Sequence, residues 1–319
     1  MYQIIEMKEM NMEEALYLCE QEYITQQQKA KGMPEFNQEI RDKMEGILCR
    51  LKKSTYGKAM LCDGELVGFL GFLGPWNGFH GLSKGVFSPL GASAFAGEKR
   101  EKTASMLIAA VAEELVRDKI FSVSMSRYAD DEEVNKAICL NSFGIRCSDA
   151  MLKLDNYVFS DKDSTIAIEE LKGAEKLEIR DLYEELRLHL AKSPCFFPTP
   201  EGQVERWFAN EGIRIFAAGY ENKIAGYMAI DEEAETFITE REDVCNICGA
   251  YVSKEFRSTG IAKQLLDAVV EVCMREGRAY LGVDYETINP TALRFWTKYF
   301  EPYTYSFIRR IDERIEQYE

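Results

Sequence analysis

"YVSKEFRSTGIAKQLLDAVV", residues 251–270, joins a predicted strand to a predicted helix through a short polar turn. The apolar run that ends at Tyr251 and Val252 indicates a buried strand. Apolar residues recur every three or four positions after Ile261, which predicts an amphipathic helix. Residues 257–260, Arg-Ser-Thr-Gly, stand between the two elements. This order raises the question of what three polar side chains and a glycine do at a helix N-terminus.

The N-terminus of a helix is a natural site for a phosphate. Its first backbone N–H groups have no partner within the helix, and they carry a partial positive charge. Gly260 keeps the approach open, Ser258 and Thr259 offer hydroxyl donors, Arg257 adds charge, and Ala262 keeps the first turn small. The turn therefore predicts a pyrophosphate cradle. The alternative is an ordinary helix start that is capped by Ser258 or Thr259.

Length and charge limit the classes of protein. The 319 residues indicate two domains, and 46% hydrophobic with 29% charged residues is typical of a globular chain. A formal net charge of −15 argues against a nucleic-acid partner, which requires a basic surface. No apolar run is long enough to span a membrane, and the acidic N-terminus lacks the pattern of a signal peptide. We expect a cytoplasmic protein without a membrane partner.

Metal and thiol chemistry find little support in the sequence. The nine cysteines form no paired framework, and Cys245 and Cys248 lie on a predicted strand whose positions i and i+3 face opposite ways. We therefore expect buried thiols and no metal. The two histidines, His80 and His189, are isolated and form no nucleophile–base pair that the sequence identifies.

The chain contains an internal repeat with an offset of 158 residues. Hairpin patterns at 59–74 and 217–230 correspond, and amphipathic helices at 105–118 and 263–276 follow them. Each half has the order strand, one or two helices, hairpin, strand, helix, strand, helix, strand. This order predicts two α/β (α+β) domains with mixed sheets, at 1–158 and 165–319, joined by a polar linker at 159–164.

The second half resembles the GNAT acyltransferase superfamily. Three features carry the resemblance: Arg257-x-x-Gly260-x-Ala262 after a strand, the hairpin KIAGYMAI, and Asn289-x-x-Ala292-x-x-Phe295-Trp296. The resemblance covers residues 165–319, and a weaker copy covers 1–158. It implies two tandem GNAT-like domains and acetyl-CoA as co-substrate. The residues that it places at the coenzyme are Tyr251, Val252, Arg257, Ser258, Thr259, Gly260, Ile261, Ala262, Asn289 and Trp296.

The first half departs from the coenzyme-A motif. Under the offset, residues 257–262 fall on 99–104, Lys-Arg-Glu-Lys-Thr-Ala, so Lys102 replaces Gly260 and Glu101 enters the turn. A long side chain at that position crowds the oriented amides. We expect the first half to keep the fold without the coenzyme-A site. The alternative is that Lys99, Arg100 and Lys102 bind phosphate by charge alone.

The predicted catalytic residues depart from the superfamily pattern at one position. The superfamily places a tyrosine general acid where this chain has Trp296, so Tyr299 and Tyr285 become the candidates for that role. Glu242, just before the fourth strand of the domain, is the candidate base, and the backbone of Tyr251 and Val252 is expected to polarise the thioester carbonyl. Asn289 before Pro290 also makes a good helix cap, so it serves the coenzyme, the helix, or both.

The acceptor is predicted from the charge around one loop. Residues 193–203, SPCFFPTPEGQ, lie between two helices of the second half, where this fold builds its acceptor pocket. Acidic residues elsewhere in that half favour an amine; they are Glu233, Glu235, Glu240, Glu242 and Asp243. The sequence thus predicts an N-acetyltransferase that acts on a primary amine of a small molecule or peptide, as a monomer or homodimer. The alternative is a coenzyme-A-binding regulatory protein without turnover.

Overall fold

The protein is described here from a computed structural model, which covers residues 1–80, 82–161, 165–221 and 223–318. Its chain divides into two compact units. The first comprises Met1–Ser148, Thr236–Ile238 and Pro302–Glu319, and the second comprises Asp149–Glu235 and Thr239–Glu301. Residues 162–164 of the predicted linker lie outside the described residues, as does Asn222 in the predicted turn of the second hairpin.

The first unit is a mixed sheet with helices, as the sequence predicts. Its elements in chain order are β1 (Tyr2–Glu6), α1 (Met12–Lys29), α2 (Gln38–Leu51), β2 (Tyr56–Cys62), β3 (Glu65–Trp76), β4 (Lys84–Ser88), β5 (Ser93–Phe95), α3 (Arg100–Arg117), β6 (Ile120–Tyr128), α4 (Glu132–Leu140) and β7 (Gly144–Lys153). The β2–β3 hairpin turns at Asp63 and Gly64, both with positive φ, as a tight two-residue turn requires. β4 and β6 run parallel, and the other pairings are antiparallel.

The second unit repeats this order. It contains β8 (Ala167–Leu171), α5 (Arg180–Leu190), α6 (Gln203–Ala209), β9 (Arg214–Tyr220), β10 (Lys223–Asp231), β11 (Val244–Val252), α7 (Ile261–Arg275), β12 (Tyr280–Glu286) and α8 (Pro290–Trp296). The sheet order is β8-β9-β10-β11-β12, with β11 and β12 parallel and the other pairs antiparallel. α7 buries Leu265, Leu266 and Val269 in the main core of this unit.

The last strand departs from the predicted halves. After β13 (Glu301–Pro302), β14 (Thr304–Arg310) belongs to the second half by sequence, but it pairs with β6 from Thr304↔Tyr128 to Arg310↔Ser122. Phe307 is fully buried in the core of the first unit. The repeat predicts that this segment is a strand, but it cannot predict which sheet the strand joins, because a strand at the chain end is free to pair elsewhere.

No helix among the described residues combines the length and apolarity needed to cross a membrane.

Candidate active site of the second unit

The turn before α7 has the open geometry that its sequence predicts. Gly260 is the N-cap residue, with φ of +90°, and a Cβ placed on it would meet no atom within 4 Å. Among the described residues no side chain caps α7, so the alternative of a Ser258 or Thr259 cap is wrong. The first backbone N–H groups of α7 therefore point toward a space that a phosphate can enter.

The polar side chains of the turn do not all face that space. The Arg257 Nε donates to the carbonyl oxygen of Val252 at 3.1 Å, and its guanidinium lies 5.4 Å from the ring centre of Tyr251. Thr259 donates its hydroxyl proton to the carbonyl of Phe256 at 2.6 Å. That hydroxyl therefore stabilises the turn here, and its contact with a phosphate stays a prediction. Ser258 is exposed.

Strands β11 and β12 separate beside this turn. Their parallel pairing runs from Val244↔Tyr280 to Ile247↔Val283 and extends no further along these two described strands. On the other edge of β11 the register with β10 shifts by one residue at Cys248, which forms a β-bulge. Tyr251 and Val252 then pair with β10. The backbone edge of β11 that faces away from β10 is thus open beyond Ile247, beside the turn at Gly260.

A cleft of about 270 Å³ opens in the second unit where the two strands begin to separate. α6 contributes Trp207 to its lining, and Asn246 and Cys248 contribute from β11. Four carboxylates also line it, Asp231, Glu233, Glu235 and Asp284, and we call this space the acidic cleft. Asp284 directly follows Val283, the last residue of β12 that pairs with β11. The acidic cleft therefore reaches the place where the strands part.

Two of these carboxylates, Glu235 and Asp284, have raised pKa values. Their side chains line the cleft and are exposed to it. Desolvation, followed by the charges of Asp149, Glu233 and Asp231, raises the pKa of Glu235 to about 7. Desolvation, followed by the charges of Glu235 and Glu286, raises the pKa of Asp284 to about 8. These shifts bring the pKa of both carboxyl groups toward neutral pH, the range that suits a general base.

Helix α8 begins beside the candidate site at Asn289. The Asn289 Oδ1 accepts from the backbone N–H groups of Thr291 and Ala292 at 3.3 and 3.4 Å, with Pro290 as the first helical residue. His189 Nε2 lies 3.4 Å from the same oxygen. The capping role predicted for Asn289 is therefore present, and its contact with a coenzyme stays a prediction.

The candidate catalytic residues lie in different environments. Trp296 is 6% exposed and packs in the core against Phe300. Tyr285 is also buried in this core, at 3% exposure, whereas Tyr299 is half-buried and lies 5.6 Å below the Lys263 ammonium. Burial, followed by the charge of Asp267, raises the pKa of Tyr299. Tyr299 therefore keeps its proton at neutral pH.

Glu242 lies on the surface at the turn before β11, where its backbone carbonyl accepts from Arg278. Its neighbour Asp243 forms a bidentate ion pair with Arg241, which lowers the pKa of Asp243. Neither residue is part of the cleft lining. Of the acidic residues that favour an amine acceptor in the sequence, Glu233 and Glu235 do reach the cleft.

Three polar residues of the cleft, Asp231, Asn246 and Asp284, are not predicted as site residues from the sequence. A strand pattern hides them, because each occupies one position in an otherwise apolar run. Asp231 and Asn246 are register partners across β10 and β11, and Asn246 pairs with Gly282 of β12. The available signal is the interruption itself: Asp231 and Asn246 are buried, and a buried polar residue in a strand requires a partner or a function.

The corresponding helix start in the first unit is closed. α7 begins at Ile261, which corresponds to residue 103, but α3 begins at Arg100, three residues earlier. The backbone N–H of Glu101 donates to the Glu133 carboxylate at 3.2 Å. Arg100 donates to Asp131 at 2.7 Å and to Glu22 at 3.2 Å. The helix thus begins earlier here, and a carboxylate of the chain already accepts from one of its first N–H groups.

Comparison with known proteins supports the domain resemblance. Residues 178–301 match the family model described as "Acetyltransferase (GNAT) family". A GCN5-related N-acetyltransferase from Sphaerobacter thermophilus superposes with a TM-score of 0.59 at 14% identity, covering 97% of this chain and 95% of the other. A tandem GNAT protein from the clavulanic acid biosynthesis pathway gives 0.50 at 13% identity, with 97% and 98% coverage. No curated protein sequence matches.

A third similar structure is a GCN5-related glucosamine N-acetyltransferase region of a fungal multi-domain β-N-acetylglucosaminidase. It gives a TM-score of 0.52 at 11% identity and covers 97% of this chain but 38% of that one. At these identities the superpositions establish the fold alone. Residues 178–301 are therefore similar to a GNAT acetyltransferase domain, and the chain as a whole has the fold of tandem GNAT proteins.

Proposed function

We propose that the protein is an acetyl-CoA-dependent N-acetyltransferase that acts on a primary amine. The observation that carries this proposal is the uncapped start of α7 at Gly260, directly after a strand that separates from its neighbour. The family match over residues 178–301 supports acyl transfer as the reaction class. The acidic cleft at the same separation supports a cationic acceptor.

The residues of the turn fit the pyrophosphate of coenzyme A. The N–H groups at the start of α7 are oriented donors, and the space above Gly260 is open. Arg257 brings a guanidinium to the same turn and is held there by the Val252 carbonyl. Acetyl-CoA supplies the activated acetyl group as a thioester. The opened edge of β11 offers backbone N–H groups to the thioester oxygen, and we assign this role to Tyr251 or Val252.

The chain must also move a proton from the amine. An attacking amine loses its proton as the new N–C bond forms and the C–S bond breaks, and the thiolate then takes up a proton. Asp284 and Glu235 are better placed to accept the first proton than Glu242, because they line the cleft at the strand separation. Their raised pKa values suit this task.

Tyr299 is our candidate for returning a proton to the thiolate. It is half-buried beside α8, whereas Tyr285 is fully packed in the core. We expect Tyr299→Phe to lower kcat by about 100- to 10,000-fold with little effect on acetyl-CoA affinity, in the range of a lost general acid. Tyr285→Phe is the matched control in the same unit. Equal rates for wild type and Tyr299→Phe would remove Tyr299 from the mechanism.

A second function is favoured by one specific residue. Trp296 occupies the position of the usual tyrosine acid and lies in the core, where it cannot donate a proton to the thiolate. A protein that lacks this acid can still bind coenzyme A at the start of α7 without turning it over. The release of free coenzyme A thiol in the presence of a panel of primary amines separates the two functions. Amine-dependent thiol release supports the enzyme, whereas tight acetyl-CoA binding without release on any amine supports the binding protein.

A further inference from the structure

The acidic cleft carries an excess of negative charge. Its lining includes four carboxylates, Asp231, Glu233, Glu235 and Asp284, and a single cation, Arg206. Among the described residues none of these five groups forms a salt bridge with a residue of opposite charge. An ammonium group in the cleft favours the ionised form of the carboxylates beside it, and a ligand with one ammonium pairs with only part of their charge, so a ligand with two ammonium groups is favoured.

A buried amide in the same cleft needs a partner that the chain does not provide. Asn246 is 5% exposed, and its Nδ2 has no hydrogen-bond partner among the described residues. Its Oδ1 lies over Gly282, where a Cβ would approach to 2.2 Å, so the backbone of β12 makes room for this amide. An unpaired buried donor costs about 1–3 kcal/mol, which a ligand oxygen would offset.

The size and walls of the cleft limit the rest of the ligand. A volume of about 270 Å³ lies below the range of drug-sized pockets, so the ligand is small. Trp207 forms an apolar wall and is itself fixed by stacking on Tyr183, with ring centres 4.4 Å apart. An aromatic ring beside a cleft of carboxylates favours an ammonium group with a short aliphatic chain.

We propose that the acetyl acceptor is a short aliphatic diamine that carries a hydroxyl or carbonyl oxygen. One ammonium group binds among the carboxylates, and the oxygen accepts from Asn246 Nδ2. The second amine lies at Asp284, where β11 and β12 separate, and receives the acetyl group. This inference rests on the proposed function, since it names the acceptor of the same site.

Three amines of equal carbon length test the proposal: 1,3-diamino-2-propanol, 1,3-diaminopropane and propylamine. With saturating acetyl-CoA, kcat/KM is expected to be at least about tenfold higher for 1,3-diaminopropane than for propylamine, because one ion pair in a partly desolvated site contributes ~1.4 kcal/mol. The hydroxyl is expected to add a further gain of about threefold. Equal kcat/KM for all three amines would overturn the proposal.

Variants connect each preference to its residue. Glu235→Gln should abolish most of the advantage of the diamine, and Asn246→Ala should abolish the advantage of the hydroxyl alone. Glu211→Gln removes an exposed carboxylate of the same unit outside the cleft and should preserve both preferences. Preferences that survive Glu235→Gln and Asn246→Ala would place the acceptor elsewhere and contradict the proposal.

Binding without acetyl-CoA separates the failure of this inference from failure of the proposed function. Calorimetry with 1,3-diamino-2-propanol alone measures the cleft directly. Binding that Glu235→Gln weakens, without acetylation of any amine, would support the diamine site and contradict the acetyltransferase. Acetylation of propylamine without measurable diamine binding would support the acetyltransferase and contradict the diamine site. An absence of both would contradict both.

Discussion

The N-termini of α3 and α7 occupy corresponding positions in the two units, yet they differ in what satisfies their backbone N–H groups. In the first unit the Glu133 carboxylate accepts from the N–H of Glu101, and the helix begins three residues earlier. In the second unit the helix begins after Gly260, and no described side chain caps it. The same fold therefore yields a closed helix start and an open one. The difference lies in where the helix begins and in which side chains reach its first N–H groups.

The acidic residues of the two units differ in the same way. In the first unit Glu22 and Asp131 both bind the buried guanidinium of Arg127, at 3.0 and 2.6 Å, and Arg100 joins them. Burial opposes ionisation of Asp131, but the charges of Arg127 and Arg100 outweigh it and lower its pKa. In the second unit desolvation and nearby carboxylates raise the pKa values of Asp231, Glu235 and Asp284. The carboxylates of the first unit are thus paired with guanidinium groups, whereas those of the cleft face mainly one another.

Closing the open helix start should have the largest effect. Gly260→Lys places a side chain in the space that the pyrophosphate needs, so acetyl-CoA affinity should fall by at least about 100-fold, or ~2.7 kcal/mol, in calorimetry. Gly277→Lys is the matched control, because Gly277 follows the same helix, has φ of +80° and is equally open. The acetyl-CoA affinity of the Gly277→Lys variant should stay at the wild-type value. Equal losses in both variants would show that strain, not the turn, is responsible.

Removing the central cation of the first unit should change stability rather than binding. Arg127→Met leaves Glu22 and Asp131 buried with less compensating charge, so we expect a loss of about 3 kcal/mol in the free energy of unfolding. Urea denaturation measures this loss, and calorimetry should give unchanged acetyl-CoA affinity for the folded variant. A large change in affinity without loss of stability would mean that this network serves the ligand.

Ionisation of Asp284 should lower the free energy of unfolding as pH rises. A carboxyl group whose pKa is raised in the folded state favours folding below its unfolded pKa, near 4, and loses this contribution as pH rises through the folded value. For Asp284 that window extends from about pH 4 to about pH 8. Asp284→Asn should therefore raise Tm more at pH 8.5 than at pH 4.

Water in the cleft screens these charges, so the expected gain in Tm is small, about 2–4 °C at pH 8.5. Glu211→Gln again provides the control, with no pH-dependent gain. A gain of the same size at both pH values would mean that packing, rather than charge, causes it.

Removing two side chains at the start of α3 should have the smallest effect on acetyl-CoA binding. In the double variant Lys102→Gly, Glu133→Gln the long side chain and the capping carboxylate are removed, but the earlier start of α3 and the Arg100 ion pairs remain. We expect no second acetyl-CoA site and a calorimetric stoichiometry equal to that of the wild type. A gain of a second site would show that these two side chains alone close the turn.

The sequence predicts the elements well, since periodicity and turn residues are local signals. Both hairpins, the two long helices after them and the open turn at Gly260 could be predicted. The pairing of β14 with β6 could not, because strand pairing over a long chain separation leaves no local mark. The same holds for the acidic cleft: Asp231, Asn246 and Asp284 come together through register across three strands, and a bulge at Cys248 sets that register.

The stoichiometry of acetyl-CoA binding tests the central claim most directly. Calorimetry of the full chain should give one site per chain, lost in Gly260→Lys and retained in Gly277→Lys. Two sites per chain, or one site that survives Gly260→Lys, would contradict the assignment of the coenzyme to the open helix start of the second unit.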